Sequence, residues 1–134
     1  MTNESEPPKE NEELVFSLDL EEIPFKVRPK GSKDLIPYKL VELDGGDRDD
    51  YVTLVNKRST RNSAGAVVDV ELKDLQGELL SRSVRRYSKE SETWNKVTIP
   101  EIRSWPGKMQ SALFEEAQKL SGLDELASKK EEGK

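Results

Sequence analysis

Apolar residues change their spacing as the chain proceeds, and the changes mark its elements. Leu14, Phe16 and Leu18 alternate with Val15 and Ser17, and Phe25 and Val27 alternate with Pro24, Lys26 and Arg28. Period two predicts short strands over 14–18 and 24–28, joined by the loop DLEEI as a loose hairpin. Pro24 and Pro29 bracket the second strand and place it at a sheet edge. IPYKLVEL at 36–43 predicts a third strand, with apolar residues on both faces.

Asp44-Gly45-Gly46-Asp47 breaks the alternation, and the spacing then turns helical. Asp47 is the expected N-cap of a helix through RDDYVTLVNKR. Tyr51, Leu54 and Val55 form its apolar stripe, widened by Val52. STRNSAG at 59–65 reads as a polar loop. Leu72, Leu75, Leu79 and Leu80 predict a helix whose face continues through Ser83 and Val84. VVDVEL before it also suits a strand, because β-branched residues favour a pleated surface. Gly77 lies inside this helix, where a tight helix crossing would account for it. SKESETWNKV at 88–97 reads as a loop or a short hairpin.

Thr98-Ile-Pro-Glu101 matches the capping-box pattern and starts a short helix ending near Trp105. Pro106 biases the residue before it away from helical angles. Ser104 is the expected cap of the last helix, about 105–121. Met109, Ala112, Leu113, Ala117 and Leu120 make its stripe, and Phe114 broadens it. Gly122 and Leu123 suit a Schellman ending. The expected fold class is therefore α+β, mainly α-helical after residue 44, with a small N-terminal antiparallel β element. Residues 13–126 form the expected single domain, between a disordered acidic tail at 1–12 and a disordered charged tail at 127–134.

Composition narrows the function more than the fold. Among 134 residues, 33% are hydrophobic and 37% charged. Ordinary globular chains have about 25% charged residues, so the core is modest and a dimer or a partner would add stability. The net charge of −5 is spread along the chain. This argues against a nucleic-acid binder with a basic stripe. Arg82, Arg85 and Arg86 cluster near the expected end of the leucine-rich helix; arginines suit phosphate or nucleic acid, but a basic helix end that balances the dipole is the better reading. There is neither cysteine nor histidine. A thiol nucleophile, a thiolate metal site and the commonest general base are therefore excluded. The Asp44–Asp50 run lacks the spacing of a calcium loop. Glu115 and Glu116 are adjacent on a helix surface and do not face each other as an acid and a base must. No apolar run suggests a signal peptide or a membrane span. The expectation is a soluble cytoplasmic protein with no catalytic, cofactor or metal residues.

What remains is an apolar surface. Trp105, Met109, Leu113, Phe114 and Leu120 are the candidate protein-binding residues. Aromatic residues and Met are common at interfaces, but the same side chains also suit an internal core.

The segment EIRSWPGKMQSALFEEAQKLSGLDE resembles the C-terminal helical region of the tail assembly chaperones of long-tailed bacteriophages. Ile102, Trp105-Pro106, Leu113-Phe114, Leu120 and Gly122-Leu123 carry the resemblance. Tyr38 to Arg58 and the leucine-rich segment 74–84 extend it, so that it covers 36–126. The resemblance implies a non-catalytic chaperone in the host cytoplasm that is absent from the mature virion. Its implied partners are the tape measure protein and the tail tube protein, with a homo-oligomer also possible and no nucleic acid or membrane. It also implies a longer form made by programmed frameshifting, with which the Lys-rich end at 129–134 is compatible. Two other classes suit the same residues: a small phage-encoded regulatory adaptor that binds a host protein, and a minor structural tail component.

Overall fold

A computed structural model describes residues 13–70 and 74–123. The readings of 1–12, of Leu72 and of 124–134 lie outside the described residues. In chain order the elements are β1 (Glu22–Val27), β2 (Ile36–Val41), α1 (Gly45–Lys57), β3 (Ser59–Arg61), β4 (Val67–Val70) and α2 (Leu75–Ser83). After these come β5 (Val84–Ser88), β6 (Thr93–Lys96), α3 (Ile99–Arg103) and α4 (Gly107–Leu120).

Four strands form one antiparallel sheet in the order β1-β2-β5-β6. This corrects the expected fold class. The protein is α+β, but its sheet is not a small N-terminal element, because β5 and β6 supply half of it from residues beyond 83. Helical spacing misled at Val84. There the chain leaves α2 and enters a strand with no linker, and Val84 stays fully buried by pairing with Leu40 across the sheet. β-Prone Val84, Tyr87, Thr93 and Trp94 sit in the paired segments. Tyr87 faces Trp94 across the β5–β6 hairpin, with ring centroids 5.2 Å apart. Such cross-strand aromatic pairs are a unit of sheet stabilisation.

Four further readings change. Residues 14–18 form no strand, and 59–61 pair with 67–70 as a separate two-stranded hairpin. Asp44, not Asp47, caps α1: its Oδ1 accepts from the Asp47 N–H at 2.8 Å. Ser104 closes α3 instead of opening α4, whose N-cap position is Pro106. Other expectations hold. β1 is an edge strand. Thr98 caps α3, its Oγ1 accepting from the Glu101 N–H. α4 ends as a Schellman motif: Leu123 N–H donates to the Gln118 carbonyl and Gly122 N–H to that of Lys119, with Gly122 at φ 69°.

The core lies between the inner face of the sheet and the helices. Alternation puts Tyr38 and Leu40 inward on β2, with Val84 opposite on β5. Outward, Lys39 pairs with Glu22 at 2.9 Å and lies 4.4 Å from the Trp94 ring centre. α2 packs against α1, α3 and α4, and α4 also reaches β2. Leu79, Leu80, Ile102 and Ala117 are fully buried. Each buried leucine or isoleucine contributes about 1.5–3 kcal/mol.

Polar contacts fix the ends of these elements. Ser83 Oγ donates to the Val41 carbonyl at 2.8 Å, joining the end of α2 to β2. Ser121 Oγ accepts from the Leu43 N–H at 2.9 Å. Arg48 reaches the carbonyls of Ser121 and Gly122 at 3.1 and 3.2 Å. There its charge favours the negative end of α4.

Gly77 marks the expected tight crossing. A Cβ there would stand 3.0 Å from Ile99 Cγ2 on α3. Gly77→Val is expected to destabilise the fold by about 2 kcal/mol through overpacking, measured by urea unfolding. An unchanged midpoint would show that α3 yields freely.

Tyr51 gives a pH signature. Its ring is 3% exposed. Burial pushes its phenol up to about 12, against the lowering effect of Arg82 and Arg58. The unfolded phenol loses its proton near pH 10, before the folded one does. The contribution of Tyr51 is therefore fully present below pH 10 and is lost as the pH rises towards 12. Stability should fall by about 1.4 kcal/mol more in the wild type than in Tyr51→Phe between pH 8 and 11. Equal losses in denaturant titrations at the two pH values would contradict this.

Candidate functional site

An open groove of about 950 Å³ runs between the strand pair β1–β2 and the start of α4. The alternation of β1 turns Phe25 and Val27 towards it, and β2 adds Ile36 and Tyr38. The Trp-Pro break supplies the opposite wall. α3 ends at Arg103, the chain turns, and α4 begins at Gly107. Trp105 therefore projects from the turn, with Met109 and Leu113 on successive turns behind it. Gln110 holds the turn, donating from Nε2 to the Trp105 carbonyl at 2.9 Å.

Three rings form the aromatic floor. Phe25 stacks on Tyr38 with centroids 5.4 Å apart. Tyr38 meets Trp105 edge-on at 5.9 Å, a favoured arrangement. Tyr38 is almost fully buried, while Phe25, Val27, Ile36, Trp105, Met109 and Leu113 are half-buried. The groove is thus lined by large apolar side chains with free surface.

Its rim is basic. Lys26, Arg28 and Lys30 follow one another on and after β1. Arg86 reaches the rim from β5 and forms an ion pair with Glu101. Hydrogen bonding to the Tyr38 side chain raises the Arg86 pKa; burial works against this and Glu101 adds to it. Glu101 faces Arg86 with its carboxylate while its own N–H takes the Thr98 cap. Arg85 and Arg86 lie in a strand, so the arginine cluster does not end a helix as the sequence suggested. Only Arg82 does, paired with Glu78 at 2.9 Å.

The structure brings together three of the five candidate residues. Trp105, Met109 and Leu113 line the groove. Phe114 lies on another side of α4, lining a separate depression with Leu75, Gly77, Arg103 and Gln110. Leu120 is half-buried against the core at the far end of the helix. The sequence reading missed the sheet wall of Phe25, Val27, Ile36 and Tyr38. The alternation in PFKV and IPYK gave the inward-facing residues, but nothing local showed that α4 would stop short of covering them.

Among the described residues no group of three or more acidic side chains is placed to hold a metal ion. No described helix is long and apolar enough to cross a membrane. Comparison with protein-family models, curated proteins and solved structures returns no match.

Proposed function

We propose that the protein is a non-catalytic assembly chaperone that holds an apolar segment of a larger client in the groove between β1–β2 and α4. The open apolar groove with its aromatic floor carries this reading. Half-buried aromatic, Met and Leu side chains are the types that anchor interfaces. Met is flexible enough to adapt to segments of different shape. A basic rim favours an acidic or amphipathic segment.

The resemblance over 36–126 supplies the identity of the client. In this proposal it is the tape measure protein of a long-tailed phage, shielded in the host cytoplasm before the tail tube protein assembles around it. The chaperone then leaves and is absent from the mature virion.

Co-expression with the tape measure protein of a long-tailed phage tests the proposal. The expected result is a soluble, co-eluting complex in place of an insoluble client. A client that stays insoluble beside a well-folded, abundant chain would refute the reading. Presence of the chain in purified virions would favour a structural tail component.

A further inference from the structure

A second apolar surface lies outside the groove. Leu14, Val15, Phe16 and Leu18 are 86%, 82%, 83% and 99% exposed. Four large apolar side chains in five residues, all facing water, form a patch of the kind that marks an interaction site. The sequence pattern asked for a strand in a hairpin with β1. The structure instead leaves the segment irregular, with bends at Leu18 and Asp19 and, among the described residues, a local contact between the Asp19 N–H and Ser17 Oγ.

The Glu21 N–H donates to the Glu42 carboxylate at 2.9 Å, and the Glu21 carbonyl accepts from the Glu42 N–H at 2.8 Å. These contacts carry the β1–β2 pairing one step beyond Glu22↔Val41. The groove opens at the opposite end of the strand pair, where Val27 faces Ile36. The exposed arm does not fill the groove of its own copy, whose lining begins at Phe25.

Their chemistry is complementary. The arm is apolar and flanked by Glu12, Glu13, Asp19 and Glu21. The groove is apolar and flanked by Lys26, Arg28, Lys30 and Arg86, against the one acidic Glu101. Five extended residues span about 17 Å. A two-fold arrangement would satisfy both arms and both grooves with one repeated contact. Pro24 lacks an N–H and Lys26 places a charge on β1, so simple strand addition at that edge is disfavoured. Side chains entering the groove are the better fit.

We propose that Leu14–Leu18 of one copy docks in the β1–β2/α4 groove of a second copy, so that the protein self-associates by reciprocal arm exchange. This holds whether or not a foreign client also uses the groove. Where one does, client binding and self-association compete.

The absence of cysteine makes the test clean. Phe16→Cys and Met109→Cys are placed in two differently tagged full-length chains, which are mixed and mildly oxidised. The expected result is a cross-link between the chains, well above that of Phe16→Cys mixed with Lys119→Cys. Sedimentation of the untagged protein should show a dimer. Phe16→Glu with Leu18→Glu should weaken it about thirtyfold or more. These side chains are exposed, so the fold is not at stake in that variant. Three results would overturn the proposal: a monomeric wild type, a yield equal to the Lys119→Cys control, or a Phe16–Met109 cross-link formed only within a doubly substituted single chain.

Discussion

Ile102→Ala is expected to lower the unfolding free energy by about 3 kcal/mol. Ile102 is completely buried. It belongs to α3, a helix of five residues. A helix that short has no stability of its own and is held by what it packs against. Ile102 and Ile99 are its apolar anchors, the latter pressed against Gly77 of α2. Removing the Ile102 side chain leaves a cavity and loosens the turn that carries Trp105. Since a domain of this size has roughly 5–15 kcal/mol in all, the loss is a large share of the total. Urea titration should show the midpoint falling with the slope unchanged. Heating should show a drop of about 10 °C or more. A change under about 1 kcal/mol would mean that α3 is not part of the cooperative core.

Met109→Asp is expected to weaken client retention by about a hundredfold while leaving the fold intact. Met109 is half-buried on the wall of the groove and is absent from the packed core. A carboxylate there removes apolar contact from a bound segment and puts a desolvated charge against it. Together these are worth about 2–4 kcal/mol. Phe114→Asp is the matching control. Phe114 packs on the core and faces the other depression. It should cost stability without a comparable loss of client binding in the fraction that folds. Co-elution with the client, with circular dichroism of each variant, checks both. Loss of binding in Phe114→Asp and retention in Met109→Asp would move the docking surface to the other side of α4.

Much of the fold was legible wherever one local signal acted alone. Thr98 with Glu101, and Gly122 with Leu123, marked helix ends because capping geometry is fixed by a few neighbouring residues. The two misplaced caps, Asp47 for Asp44 and Ser104 for Pro106, lie within three residues of the observed positions. Val84 shows the stronger limit. An apolar residue one step past a helical stripe serves equally as its continuation or as the first residue of a buried strand. The outcome depended on β2, more than forty residues away in the sequence. The site was half legible for the same reason. The stripe on α4 named Trp105, Met109 and Leu113, but it also named Phe114 and Leu120, which the helix turns elsewhere. The sheet wall is made by pairing over long separations, which no local spacing records. The exposed arm at 14–18 is an opposite case: its alternation suits a strand, yet it pairs with no strand among the described residues.

Trp105 offers the most direct measurement of groove occupancy. The other tryptophan, Trp94, is 39% exposed on the outer face of the sheet, and Trp94→Phe removes its signal while keeping a ring beside Tyr87 and Lys39. Fluorescence of Trp105 is then followed as purified fragments of the client are added to the Trp94→Phe chain, which also carries Phe16→Glu and Leu18→Glu so that no arm of a second copy occupies the groove. A saturable blue shift, with quenching by iodide suppressed, is the predicted result, and Met109→Asp should abolish it. Fragments that bind by calorimetry while Trp105 emission and quenching stay unchanged would show that the groove is not where the client docks.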